Sequence, residues 1–382
     1  MVRVAFVSSH ARLGGSERYL EWLIAALDPE YVQAVVSLEE GQLPNRSREL
    51  GHPTSVIATG NRRSDFVAAA RRLRAVLSSA NPDVVHANGV KAAIVASAAT
   101  LGTRIPVVWL KFDFAMDGVV AGLLARRSAQ VIGVSEAVTR TFGPRLRSKV
   151  HVVHTGIPPF EVDRDHGRAL VLDQFERPPE HVVTLVGRLD PDKGHAELLA
   201  AAPAIVAERP RTAFLFVGGE GLEATAYGRS LTEEVDGLEL GGHVRFLSHR
   251  PDVTSLMAGS DLLAHVSVLT HGVPDTEGFP IVALESMLAG TPVVGYANGG
   301  LPELVADCGR LVPRGDRRAL VRTILGLLED VAVRERLGSC GRERVRERFL
   351  LDTNVDRMKE RYRAAARERR HGRWAKRRRA GT

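Results

Sequence analysis

The feature that most constrains the fold is an alternation that runs through the chain twice: short apolar runs rich in Val, Leu and Ile, separated by segments of helical period. A strand buried on both faces reads as a continuous apolar run, and a helix between successive runs lets the strands pair in parallel. The pattern therefore predicts an α/β chain with parallel sheets covered by helices on both faces. The first set of runs falls at residues 2–7, 32–38, 84–86, 106–110, 131–134 and 150–153; the second falls at 182–186, 213–217, 244–247, 262–266, 292–296 and 310–312. Two similar sets predict two similar domains, as expected of 382 residues, more than the roughly 250–300 at which single cores stop growing. The switch falls near Gly156-Ile157-Pro158-Pro159. This places an N-terminal domain at 1–157, a C-terminal domain at 158–349 and a C-terminal helix with a basic tail at 350–382. Ligands of such sheets bind at the carboxyl ends of the strands, so the two domains are expected to face each other across a cleft.

Within the second set, Asp275-Thr276-Glu277-Gly278-Phe279-Pro280-Ile281-Val282-Ala283-Leu284-Glu285 places two carboxylates around a Gly-Phe-Pro turn. Pro280 suits the first turn of a helix, and the apolar run from Ile281 to Leu288 ends at Gly290. Glu277 is then a loop residue and Glu285 a helix residue. Backbone N–H groups at that start, those of Gly278, Phe279 and Ile281, form an anion site suited to a diphosphate. Glu277 can reach what lies beyond the phosphates, and Glu285 can accept hydrogen bonds from a diol such as a ribose. A surface loop followed by a core helix is the structural alternative, since short motifs carry real false-positive risk.

A second element shifts the balance. The run Val182-Val183-Thr184-Leu185-Val186 leads into Gly187-Arg188-Leu189-Asp190-Pro191-Asp192-Lys193-Gly194, a strand entering a turn with two cations. The Arg188 fork and the Lys193 point charge can together hold a diphosphate and stabilise the charge that develops as it leaves. Asp190 and Asp192 form an Asp-X-Asp pattern, but inside this loop they read as turn residues rather than metal ligands. His151, His154, His265 and His271 show no metal-site spacing. No metal and no cofactor is expected.

With these residues the chain resembles the retaining, nucleotide-sugar-dependent glycosyltransferases of family four, whose glycosyltransferase-B fold has two Rossmann-like domains facing across a cleft. The resemblance rests on Glu277 and Glu285, on Gly187 to Gly194, and on Leu13-Gly14-Gly15-Ser16-Glu17-Arg18 after the first run. Val134-Ser135-Glu136-Ala137, His154-Thr155-Gly156-Ile157 and Gly290-Thr291-Pro292-Val293-Val294 add weaker support, and the likeness covers roughly residues 2 to 350. It implies that Gly14 and Gly15 meet the donor diphosphate or the acceptor, and that the glycines of Val217-Gly218-Gly219-Glu220-Gly221 border the nucleotide, a tight turn being the plain alternative for them. His249-Arg250-Pro251-Asp252-Val253 is placed near the base, with Arg250 the residue to test. Ser16 can cap the helix that follows, and a plain strand–helix connection is the default reading of the Gly14-Gly15 turn.

Members of the family often carry His-Asp where this chain has Phe112-Asp113. The departure leaves Asp113 as the candidate for orienting sugar or acceptor, with Lys111 able to contact a phosphate; a strand end with a capping Asp is the alternative. His86 and Asn88 end another strand, where they can touch the acceptor; a satisfied core histidine and a capping Asn are the plainer readings.

Apolar and charged fractions of 44% and 25% are those of a globular protein. The two cysteines, Cys308 and Cys340, give no disulfide framework and suit a reducing cytoplasm. Residues 1–10 read as a first strand rather than a signal peptide, and no run approaches the roughly 20 apolar residues that span a bilayer, so a soluble cytoplasmic chain is expected. The net charge of +7 is uneven: residues 361–382 hold nine Arg and one Lys against Glu368, a net +9 that leaves the remainder at −2. That tail, with Trp374 as an interfacial anchor, can attract an anionic membrane or, less specifically, nucleic acid. A solvated tail is the plain alternative.

The expected activity is transfer of a hexose from a nucleoside diphosphate to a hydroxyl acceptor in a glycolipid, polysaccharide or secondary metabolite. Glu277 supports positive charge at the anomeric carbon, Arg188 and Lys193 hold the diphosphate, and Glu285 binds the ribose. The alternatives are an epimerase or phosphorylase of the same fold, or a protein that binds sugar nucleotides without turnover.

Overall fold

The computed structural model describes residues 1–12, 14–219, 222, 225–268 and 277–379. The chain forms two compact units, one of Met1–Pro158 with Leu350–Thr382, the other of Pro159–Phe349. The first unit has strands β1 (Val4–Ser8), β2 (Val32–Ser37), β3 (Thr54–Val56), β4 (Val84–Asn88), β5 (Val107–Lys111), β6 (Gln130–Gly133) and β7 (Val150–Val152). Its helices are α1 (Gly15–Ala26), α2 (Gln42–Glu49), α3 (Arg63–Ala80), α4 (Val90–Ala99), α5 (Val119–Arg127) and α6 (Glu136–Thr139). The second unit has β8 (His181–Val186), β9 (Thr212–Val217), β10 (Val244–Leu247), β11 (Leu262–His265), β12 (Val293–Tyr296) and β13 (Gly309–Val312). Its helices are α7 (Arg164–Leu172), α8 (His195–Glu208), α9 (Ala226–Gly237), α10 (Val253–Gly259), α11 (Ile281–Ala289), α12 (Leu301–Val305), α13 (Arg317–Glu329) and α14 (Val331–Arg348). The last helix, α15 (Leu351–Arg379), belongs to the first unit.

Both sheets are parallel throughout, in the orders β3-β2-β1-β4-β5-β6-β7 and β10-β9-β8-β11-β12-β13. Each is Rossmann-like: the strand order reverses at the first strand of the unit, which opens a crevice between β1 and β4 and between β8 and β11. Central strands are apolar because helices cover both faces; β1, β4 and β5 are buried along their whole lengths. The edge strand β3 is Thr-Ser-Val and only half-buried, so it lacks the apolar run that marks the others in the sequence.

Three expectations are corrected. Cys308 and Cys340 are joined in a disulfide, with Cα atoms 5.2 Å apart, a span such a bond requires. The return of α14 beside β13 brings the two together across a sequence separation of 32. Pro280 is the residue before α11 rather than its first member. Ser16 caps nothing: α1 starts at Gly15, and the Ser16 hydroxyl donates to Glu17 at 2.7 Å. Among the described residues no helix is long and apolar enough to cross a membrane.

Candidate functional site

In the second unit, the loops leaving β8 and β11 are adjacent because those strands pair at the point where the order reverses. The β8 loop carries Gly187, Arg188 and a 3-10 turn at Pro191–Lys193, then Gly194 and α8. The β11 loop carries Val266, Ser267 and Val268, and the chain returns at Glu277 to enter α11. Asp275, Thr276 and His271 lie outside the described residues.

The two loops meet at Glu277. Its Oε1 accepts from Lys193 Nζ at 2.6 Å and from Ser267 Oγ at 2.7 Å, and His265 Nε2 lies 4.0 Å away. The Val268 N–H donates to the Asp192 carbonyl at 2.9 Å, tying loop to loop. Gly300 N–H donates to the Glu277 carbonyl at 2.9 Å, and Asn298 Nδ2 to the Ser267 carbonyl at 3.3 Å, so the loop after β12 backs the site. Two glycines make these approaches possible. Gly194, at φ +80°, has no room for a Cβ beside the Val266 carbonyl; Gly299, at φ +53°, has none beside the Glu277 carbonyl.

Burial opposes charge on Glu277, but Lys193, His265 and the Ser267 hydroxyl outweigh it and hold the carboxyl below its ordinary value. Burial likewise opposes the Lys193 ammonium, yet Glu277 and Asp192 raise it above the usual lysine value. Burial lowers His265 against the pull of Glu277, and its Nδ1 has no hydrogen-bond partner among the described residues. The pair is a charged carboxylate against a charged ammonium, poised in the crevice.

Arg188 is not part of that contact. It is 70% exposed and pairs with Asp190 at 3.0 Å, while Asp192 lies 3.7 Å from Lys193. Each Asp of the Asp-X-Asp pattern thus faces a cation of its own loop. Gly278, Phe279 and Ile281 are buried at the start of α11, with the Phe279 ring 5.5 Å from that of Phe349. Glu285 is buried in the second turn of α11. Gly218 closes against the Gly187 carbonyl, which sets the β9 loop beside the β8 loop; Glu220 and Gly221 lie outside the described residues. Arg250 makes a two-pronged pair with Asp252 at 2.9 and 2.6 Å.

In the first unit, Gly14 and Gly15 open α1 after β1, and Leu13 lies outside the described residues. Asp113 is exposed and its carboxylate accepts from the Ala115 N–H at 3.0 Å, closing a turn. Lys111 is fully buried and pairs with Asp117 at 2.8 Å, so its charge serves the turn beneath Asp113 rather than an open phosphate site. Phe112 packs on Tyr19 with ring centroids 5.4 Å apart. His86 is a core residue sharing a 2.8 Å hydrogen bond with Tyr362, and Asn88 reaches the Ser16 carbonyl at 3.5 Å. The sequence reading missed the roles of Ser267, Asn298 and His265 at Glu277. Their only signal is position: His265 ends β11, Ser267 lies just past it and Asn298 just past β12.

Comparison with known proteins finds a family match in each half of the chain. The family described as Glycosyl transferases group 1 matches residues 173–344, and Glycosyltransferase Family 4 matches residues 13–159. The chain is similar to a GDP-mannose-dependent monoacylated alpha-(1-6)-phosphatidylinositol monomannoside mannosyltransferase of Corynebacterium glutamicum, 32% identical over 46% of this chain and 45% of that protein. It is also similar to a phosphatidyl-myo-inositol mannosyltransferase of Mycolicibacterium smegmatis, 36% identical over 46% of this chain and 43% of that one. The match therefore spans a little under half the length of these relatives. The crystal structure of Anabaena Alr3699/HepE in complex with UDP shares the fold, with a TM-score of 0.80 and 24% identity over 95% of this chain and all of that one.

Proposed function

Because the chain belongs to the group 1, family 4 glycosyltransferases, we propose that it is a retaining, metal-independent hexosyltransferase that moves a sugar from a nucleoside diphosphate to a hydroxyl acceptor. The observation that carries this reading is the Lys193–Glu277 pair at 2.6 Å, set where the β8 loop meets the start of α11. A diphosphate at that helix start is held by backbone N–H groups and by Lys193, which exchanges part of its contact with Glu277 for a phosphate oxygen. Arg188, on the exposed side of the same loop, adds the second cation. Glu277 then faces the sugar with its charge retained, supporting positive charge at the anomeric carbon, and Glu285 takes the ribose hydroxyls. Gly14 and Gly15 are the first unit's candidates for the donor diphosphate or the acceptor, and Asp113 is its candidate for orienting sugar or acceptor.

Retention follows if the acceptor attacks the face that the diphosphate leaves. The bond from anomeric carbon to diphosphate oxygen breaks, the acceptor oxygen bonds the same face, and the acceptor's proton passes to the departing oxygen. No strong protein base is required, so Phe112 in the histidine position is compatible with turnover. The names of the two relatives and the basic C-terminal helix favour a lipid headgroup as acceptor, with the tail touching an anionic membrane.

The test is calorimetry and thermal shift with UDP, GDP, ADP, dTDP and their sugar conjugates, repeated on Arg188→Ala and Glu285→Ala. One nucleotide is expected to bind, with affinity lost in both variants. No binding by any nucleotide would remove the reading; binding with phosphate-dependent, reversible cleavage would replace it with a phosphorylase.

A further inference from the structure

We propose that the outer face of α5, with the turn before it, is a docking surface for an anionic lipid bilayer. This surface is separate from the basic tail and does not depend on the transferase reading. Large apolar side chains are exposed singly elsewhere, as at Leu50, Val67 and Leu101, which is ordinary for a protein surface. Here four fall within eight residues: Met116 is 58% exposed, Val119 79%, Val120 39% and Leu123 56%. A cluster of that kind marks an interaction site.

The inner face of α5, Ala121, Leu124 and Ala125, packs into the core, which turns Val119, Val120 and Leu123 outward. Met116 is held out by the turn. Its backbone is left-handed at φ +53°, a conformation uncommon for a side chain of this size, and the Ala121 N–H donates to its carbonyl at 3.2 Å. Beneath it, buried Lys111 donates to the carbonyls of Asp113 and Ala115 and pairs with Asp117, neutralising that carboxylate beside the apolar patch. Asp113 is the exposed carboxylate at the far end of the turn.

Charge selects the occupant. Arg126 and Arg127 are exposed at the end of α5, and Arg145 and Arg147 are exposed on the 3-10 turn Pro144–Lys149 packed against it. Lys149 fastens that turn to the helix, donating to the carbonyls of Arg126 and Ser128 at 3.1 and 3.0 Å. An apolar wedge bordered by four arginines fits acyl chains below anionic headgroups. A second copy of this chain in a two-fold contact would bring the same arginines face to face, which opposes self-association there. The tail is a separate element: α15 packs on Phe6 and His86, on the opposite side of the sheet from the core that α5 covers.

The full-length chain is floated with vesicles of phosphatidylcholine alone and of phosphatidylcholine with phosphatidylglycerol in equal parts. Binding to the anionic vesicles is expected to fall about tenfold or more in Val119→Asp/Leu123→Asp and several-fold in Arg126→Gln/Arg127→Gln, with thermal unfolding unchanged. Because the described cysteines are disulfide-bonded, Val120→Cys takes a single environment-sensitive fluorophore, whose emission should shift to the blue on vesicle binding. That shift should persist when Arg377, Arg378 and Arg379 are changed to Gln. Unchanged binding in the Val119→Asp/Leu123→Asp variant, no binding by the parent chain, or a dimer that this variant dissolves would each overturn the proposal.

Discussion

At the scale of single residues, charge at Glu277 is set by its neighbours. The carboxyl is held below its ordinary value and the Lys193 ammonium above its own. The pair's contribution to stability is therefore present through the neutral range. It is lost as pH falls through the lowered Glu277 value or rises through the raised Lys193 value. Glu277→Gln keeps the shape and removes the charge, so turnover should fall by roughly 10²–10³ while nucleotide affinity changes much less. Steady-state kinetics beside calorimetry would show this, and equal losses in both would reassign Glu277 to donor binding. A second titration lies in the first unit. Burial lowers the His86 pKa from 6.5 to about 3, so the unfolded chain takes up a proton that the folded chain refuses. Stability is complete above 6.5 and falls progressively as pH drops toward 3. Replacing His86 by Gln should reduce the stability difference between pH 7 and pH 5 by roughly 2 kcal/mol. An unaltered acid slope would mean that the ring is protonated in the fold.

Among the elements, strands read most clearly from sequence because central parallel strands are apolar on both faces. Every run expected to be a strand is one, with ends moved by a residue or two. β3 was not legible, being an edge of Thr-Ser-Val with little to bury. The site was legible as far as its motifs go: Glu277, Lys193 and the start of α11 do come together, whereas the pairing of Arg188 with Asp190 on the exposed side of the loop has no signal in the sequence. Ser267 and Asn298 were invisible because a lone polar residue after a strand has no pattern. The glycines carry a separate test. Gly194 and Gly315 share φ +80°, but a Cβ at Gly315 meets nothing within 4 Å, whereas at Gly194 it meets the Val266 carbonyl. Gly315→Ala should cost only the left-handed backbone penalty, about 1 kcal/mol. Gly194→Ala should cost several times that and weaken nucleotide binding, because it pushes the β8 loop away from the β11 loop. Equal melting temperatures for the two variants would show that the loops yield without loss.

For the whole molecule, the decisive feature is that the chain finishes its first unit last. The sequence marks 350–382 as a helix and basic tail, and the apolar positions Leu351, Val355, Met358, Tyr362 and Ala365 recur at helical spacing. Nothing local to that stripe says which surface it covers, since the partner residues lie about 190 to 360 positions earlier. In the fold, Leu351 N–H donates to the Ile157 carbonyl at 2.8 Å, Asn354 bridges Tyr19 and the His154 carbonyl, and Tyr362 bonds His86 while meeting Phe6 edge-on. The helix thus covers one face of the first sheet, and its removal would expose Phe6 and His86 together. Tyr362→Ala should cost about 3–5 kcal/mol, the usual range for deleting a buried aromatic, and all of it should fall on the first unit. In calorimetry, where a chain of two cores need not unfold in one step, the transition of the first unit should move down and that of the second stay in place. Nucleotide binding, which resides at Lys193, Glu277 and Glu285, should survive at temperatures below the lowered transition. A single transition shifted as a whole would mean that the two units unfold as one, and loss of nucleotide binding in the folded variant would mean that α15 supports the second unit as well as the first.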